Sequence, residues 1–234
     1  MVRMLLLVVV CIGLLPIQMR AQKNSYIIPG EVWKDTDGNP INAHGGGLLY
    51  HDGTYYWYGE YKKGKTILPD WATWECYRTD VTGVGCYSSK DLLNWKFEGI
   101  VLPAVKEDPN HDLHPSKVLE RPKVIYNKKN DQYVMWFHLE PRGAGYSGAL
   151  SGVAVSKNVA GPYSFVNAFR PNAGFWPVNV QELHKQPCTL SADLRFSGGE
   201  LPAHPDSLNL LGRDQISGQM ARDMNLFVDD DGIA

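Results

Sequence analysis

Three short stretches of this sequence carry ionisable residues at equivalent places: His44-Gly45-Gly46, Glu120-Arg121-Pro122 and Arg222-Asp223-Met224. Each opens a run of strand-forming residues, so the three align with Gly46, Pro122 and Met224 in register. One step earlier stand Gly45, Arg121 and Asp223, and a further step back His44, Glu120 and Arg222. Brought to one spot, these side chains make a polar site in which carboxylates and cations alternate. Paired carboxylates in a sugar-sized pocket are what glycosidic bond cleavage needs: one protonates the leaving oxygen while others hold charge and place water. The same residues also have purely structural readings. Glu120 pairs with Arg121 or a neighbouring unit as an ordinary ion pair, Asp223 caps a turn, and His44 hydrogen-bonds the nearby backbone. Gly45, Gly46 and Gly47 leave room either for a sugar ring or for a close backbone contact.

These stretches meet only if the elements that follow them repeat. Runs 47–50 and 54–58 flank His51-Asp52-Gly53, whose Asp-Gly pair supplies the positive φ angles of a tight hairpin turn. Runs 123–126 and 132–136 repeat the pattern around Asn130-Asp131, and a third copy begins at 225–228 with its turn at Asp230-Asp231-Gly232. Each complete copy has a second half: Gly85-Cys86-Tyr87-Ser88-Ser89-Lys90-Asp91 matches Gly152-Val153-Ala154-Val155-Ser156-Lys157-Asn158, and Trp95 matches Tyr163. Four strands per copy predict an all-β fold and, more narrowly, blades of a β-propeller, with a β-sandwich of similar hairpins as the alternative. The expected bounds are 44–101 for the first blade, 120–166 for the second, 167–221 for a Pro- and Gly-rich insertion, and 222–234 for the start of a third. In a propeller the innermost strands line a central axis, which would gather the three openings at one end of it. Closure needs at least about four blades. The expectation is therefore that the natural chain continues, or that this stretch is unstable alone.

Bulk properties narrow the function classes. Glycine (23) and proline (15) are abundant among 234 residues, and helical periodicity is missing after the N-terminal region, in keeping with an all-β chain. A formal charge of −2 without a basic run gives no reason to expect nucleic acid or an anionic membrane surface as partner. Met1-Val2-Arg3-Met4, an apolar run over 5–17 and Ala21 read as a signal peptide at 1–21, predicting export to the periplasm or beyond. That run is shorter than the ~20 residues of a spanning helix, so no membrane span is expected. The mature chain, 22–234, is expected to be a soluble monomer. Cys11 lies in the apolar run, while Cys76, Cys86 and Cys188 allow one bridge at most and match no zinc spacing. Asp35-Thr36-Asp37-Gly38-Asn39 resembles the start of a calcium loop, but the closing glutamate is replaced by Gly46; a turn is predicted there and at Asp229-Asp230-Asp231-Gly232. No cofactor is expected, with structural calcium as the alternative at those turns. Trp71, Trp74 and Trp176 fall in loops and are the candidates for a pocket wall that stacks on sugar faces.

Ala43-His44-Gly45-Gly46-Gly47, Tyr56-Trp57-Tyr58-Gly59-Glu60, Glu120-Arg121-Pro122-Lys123-Val124 and Asp223 with Asn225-Leu226-Phe227-Val228-Asp229-Asp230-Asp231-Gly232 resemble, in that order, the serial motifs of glycoside hydrolase family 43. The likeness covers the chain from near Gly30 onward and points to the exo-β-1,3-galactanase-like branch. It implies a five-bladed propeller, an inverting glycosidase and a galactan oligo- or polysaccharide as substrate. Family members carry an aspartate base on blade one, an aspartate on blade three and a glutamate acid on blade four. Asp223 matches the blade-three aspartate, whereas Gly45 stands where the base would be. The galactanase-like branch also lacks that base and has a glutamate at the place of Glu120; the acid would fall beyond Ala234. On this resemblance Asp223 and Glu120 are the catalytic residues. Asp223 keeps the acid protonated by like-charge repulsion, and Glu120 hydrogen-bonds galactose hydroxyls or places water. Glu60 and Tyr146 match substrate-contacting positions, with Arg121 and His44 as the substrate-binding candidates beside them. The alternatives are another family 43 specificity (α-L-arabinofuranosidase or β-xylosidase), disfavoured by Glu120 and the missing aspartate, and a non-catalytic glycan-binding or inactive fragment.

Overall fold

The computed structural model describes residues 25–63, 66–67, 78–79, 81–141, 148–182, 185 and 210–232. Among the described residues ten strands follow one another: β1 (His44–His51), β2 (Thr54–Glu60), β3 (Thr66–Ile67), β4 (Arg78–Thr79), β5 (Gly83–Ser89), β6 (Lys96–Pro103), β7 (Val118–Asn127), β8 (Gln132–Glu140), β9 (Leu150–Ser156) and β10 (Ser164–Phe169). They form two four-stranded antiparallel meanders, β1-β2-β5-β6 and β7-β8-β9-β10, with β3-β4 as a separate short ribbon that falls between β2 and β5 in the chain. The all-β class is thus observed, with β1 to β6 spanning 44–103 and β7 to β10 spanning 118–169.

The local causes are those that the sequence advertises. Thr54-Tyr55-Tyr56-Trp57-Tyr58 in β2 is β-branched and aromatic, which suits a half-buried pleated surface. Asp52 and Gly53, at φ 46° and 70°, turn the chain between β1 and β2; Asp131, at φ 48°, does so between β7 and β8. Along β8, Tyr133, Met135, Phe137 and Leu139 face the core by period-two alternation, so Trp136, His138 and Glu140 share the opposite face. Trp95 and Tyr163, the matched aromatics ahead of β6 and β10, are both buried.

Residues from both meanders build one core: Tyr58, Val84, Cys86 and Val101 from the first join Leu119, Met135, Phe137 and Ala154 from the second. Polar groups that enter the junction are bonded across it. The Tyr58 hydroxyl donates to the Val159 carbonyl at 2.7 Å, the Tyr163 N–H to the Val101 carbonyl at 2.7 Å, and the Tyr133 hydroxyl meets His51 Nε2 at 2.7 Å. Cys86 is a buried free thiol.

Three expectations need correction. Residues 225–228 are not in a strand; only the turn forms, closed by the Gly232 N–H on the Asp229 carbonyl at 2.8 Å. A strand-forming sequence pairs only where a ladder partner stands beside it, and among the described residues none does. The insertion is not devoid of helix, because Leu210–Ser217 forms one (α1). Its apolar face is weak and it has no acidic first turn or basic last turn, so it carries none of the usual signals. Finally, β10 runs on to Phe169, which moves the start of the insertion three residues later than the 167 expected. Asp35 does make the predicted turn, its Oδ1 accepting the N–H groups of Asp37 and Asn39 at 3.0 and 2.8 Å. Among the described residues no helix is long and apolar enough to cross a membrane. The expected signal peptide at 1–21 and Cys76, Cys188, Trp71, Trp74 and Tyr146 lie outside the described residues.

Candidate active site

The three aligned openings share one backbone feature. Gly45, Arg121 and Asp223 all have positive φ, at 58°, 55° and 41°. The β1–β2 register slips between His44 and Gly47, and the β7–β8 register between Glu120 and Lys123. The first strand of each meander therefore bulges at the same place, a device that re-aims side chains at the end of a sheet. Left-handed backbone at Arg121 and Asp223 costs of order 1 kcal/mol each and persists only where surrounding contacts demand it.

Those contacts begin at Glu60, the fully buried last residue of β2. Its Oε1 accepts the Arg121 N–H at 3.0 Å from the other meander. Its Oε2 lies 2.8 Å from Lys62 Nζ and 3.0 Å from His44 Nδ1, and these two partners are themselves 3.4 Å apart. Because a lysine ammonium only donates, His44 Nδ1 either donates to Glu60 or accepts from Lys62. The glycines beside this knot serve close approach rather than an open cavity. A Cβ on Gly45 would sit 2.5 Å from Glu60 Oε1, one on Gly46 would strike the Tyr58 carbonyl, and one on Gly47 the Lys123 stem. Lys123 Nζ donates to the carbonyls of Gly45 and Gly46 at 3.1 and 3.3 Å, and burial, aided by the Arg121 charge, pushes its pKa down.

Arg121 Nε is in direct contact with Asp223 Oδ1, so the second and third openings touch. Asp223 is brought there by Ala221, whose N–H donates to the Ala149 carbonyl at 3.0 Å at the foot of β9. Glu120, the neighbour of Arg121, lies directly opposite His138 on β8 and is largely buried, its Oε2 3.5 Å from His138 Nδ1. His138 Nε2 in turn meets Glu140 Oε1 at 2.8 Å, and that oxygen also accepts the Ala149 N–H at 2.8 Å. Both His138 and Glu140 are buried. Burial opposes charge on the imidazole, but the hydrogen-bonded Glu140 carboxylate and the facing Glu120 carboxylate outweigh it and raise the pKa of His138. Among the described residues no cluster of three His, Cys, Asp or Glu side chains is arranged to hold a metal ion.

No family model matches the chain, and neither does any curated protein. Solved structures do. A GH43 β-1,3-galactosidase with galactodeoxynojirimycin is 44% identical over 87% of this chain and 56% of its own, with a TM-score of 0.70. An exo-β-1,3-galactanase from Clostridium thermocellum is 34% identical over 88% of this chain and 33% of its own, at 0.58. An exo-β-1,3-galactanase from Phanerochaete chrysosporium, solved with β-1,3-galactotriose, is 39% identical over 62% of this chain and 30% of its own, at 0.52. The chain is a glycoside hydrolase family 43 relative. It spans between about a third and just over half the length of the family 43 structures it matches.

Of the family 43 site residues expected from the sequence, His44, Glu60, Arg121 and Asp223 form one connected knot, and Glu120 adjoins it through Arg121. Trp176 does not line that knot: it borders a groove of about 340 Å³ between 172–178 and α1, with Phe175, Leu211 and Asp214 among its other walls. Sequence reading missed three members, Lys62, His138 and Glu140. The signal for the last two was present: His138 and Glu140 are two apart on a strand, hence on one face, and hairpin register sets His138 across from Glu120.

Proposed function

We propose that the chain supplies two blades of a five-bladed family 43 propeller whose whole protein releases terminal galactose from β-1,3-linked galactan with inversion. The contact between Arg121 and Asp223 carries this reading, because it ties the openings of two successive units into one polar site beside Glu120. Glu120, held as an acceptor, takes hydrogen bonds from hydroxyls of the terminal sugar or steadies the attacking water. Asp223, within reach of the Arg121 guanidinium, maintains negative charge that favours the protonated form of the general acid, a group furnished elsewhere in the whole protein. His44 and Lys62 form the accessible cover over Glu60, and Tyr146 completes the sugar contacts. These steps run on carboxylates and water and call on no cofactor. The same reading takes residues 1–21 as a signal peptide, the mature protein as an exported monomer and a galactan chain as its partner.

The test is galactose release by the full-length protein from β-1,3-galactan, with the first-formed anomer read by proton NMR. α-Galactose at early times is the expected result. No galactose, β-galactose first, or arabinose from arabinan at a higher rate would overturn it.

A further inference from the structure

We propose that His138 is a positioning residue: as a buried imidazolium between Glu120 and Glu140, it keeps Glu120 ionised and aims its outer oxygen into the site. The inference rests on the galactosidase reading for what Glu120 does there.

A neutral imidazole has one N–H, yet both ring nitrogens of His138 face carboxylate oxygens, Nε2 to Glu140 at 2.8 Å and Nδ1 to Glu120 at 3.5 Å. Only a second proton satisfies both sides, carried either by the ring or by one of the carboxyls. Imidazole is ordinarily the more basic of the two, by about two pH units. The proton therefore resides on His138, and the raised pKa of that ring agrees. The groups facing the imidazole are Glu120 across the β7–β8 ladder and Glu140 on its own strand, while its partner on β9 is Ser151. With two anions against one cation the trio keeps net negative charge, and Glu120 is its member nearest solvent.

The far end of the trio is anchored too. Glu140 Oε1 holds the Ala149 amide, the Ala149 carbonyl holds Ala221, and two residues on Asp223 meets Arg121, the neighbour of Glu120. The contacts close a ring that starts and ends at Glu120 and passes through Asp223. His138 thus fixes one candidate catalytic carboxylate directly and the other through backbone.

Two measurements on the full-length protein test this. In ¹⁵N NMR of the wild type, with His138 assigned through its backbone amide, both ring nitrogens should read as protonated at neutral pH. A single neutral tautomer there would overturn the proposal, and this readout stands whether or not galactan is the substrate. In His138→Gln, the acidic limb of kcat/KM should move to higher pH by about one unit, because an ionised carboxylate has lost its neighbouring cation. Activity well above that limb should fall less than tenfold. A variant that melts like the wild type but keeps its acidic limb in place would also overturn it. Wild-type protein that releases no galactose would instead sink the functional reading and leave the NMR result to decide the imidazolium.

Discussion

The Glu60 carboxylate accepts the main-chain N–H of Arg121 at 3.0 Å across the junction of the two meanders. A buried side chain of the first unit thereby holds the bulge of the second, and the Arg121 side chain is left pointing at Asp223. Burying a carboxylate is unfavourable unless cations and donors surround it, and here the Lys62 ammonium and the Arg121 amide do so. The unit boundary and the candidate site are consequently one structure, and changes there should separate into effects on folding and effects on chemistry.

Gly45 and Gly53 provide a paired test of close approach. Both have positive φ, but an added Cβ at Gly53 meets nothing within 4 Å, whereas at Gly45 it lands 2.5 Å from Glu60 Oε1. Gly53→Ala should cost about 1–2 kcal/mol from the backbone alone. Gly45→Ala should cost at least about 1 kcal/mol more, the usual scale of an overpacked contact. Urea unfolding of the two variants in the full-length protein makes the comparison; equal losses would mean that Glu60 yields freely.

For Arg121 the division should run the other way. Its side chain and that of Asp223 are roughly half exposed, at 45% and 62%, so their ion pair is worth less than about 1 kcal/mol of stability. Arg121→Gln should therefore leave the melting temperature nearly unchanged while galactose release falls by about 100-fold, the scale expected when a reacting group is misplaced. Unchanged kcat/KM in a folded variant would separate the pair from the chemistry.

Alkaline stability should report on the junction core. Burial raises the phenol pKa of Tyr58, and likewise that of Tyr163, well above the ordinary tyrosine value near 10. The folded state then holds these protons more tightly than the unfolded one, so their contribution is complete below about pH 10 and is lost as pH rises beyond it. Phenolate absorbance for these two residues should appear only together with unfolding. Tyr58→Phe should flatten the alkaline loss and cost about 1 kcal/mol at neutral pH, through the Val159 carbonyl, which loses the nearer of its two hydroxyl donors and keeps that of Tyr163. Early ionisation of both phenols without unfolding would show that the junction admits water.

Strands β1, β2, β5 to β10 and their turns were legible in the sequence because period-two alternation and Asp-Gly chemistry act within a few residues. Alignment of the copies went further, since equivalent openings in a repeat adopt equivalent backbone: Gly45, Arg121 and Asp223 share their positive φ despite having nothing in common as side chains. The helix Leu210–Ser217 was illegible for the opposite reason, its local signals being weak, and the strand expected at 225–228 failed because propensity without a pairing neighbour makes no ladder. Only the tertiary structure could decide that Glu60 belongs to both meanders, that the three glycines serve contact rather than space, and that His138 stands between two carboxylates. Each of those depends on which residues far apart in the chain come within 3.5 Å once the sheets pack, and electrostatic and hydrogen-bond energies are set by that distance and by the exclusion of water, neither of which is written in local sequence.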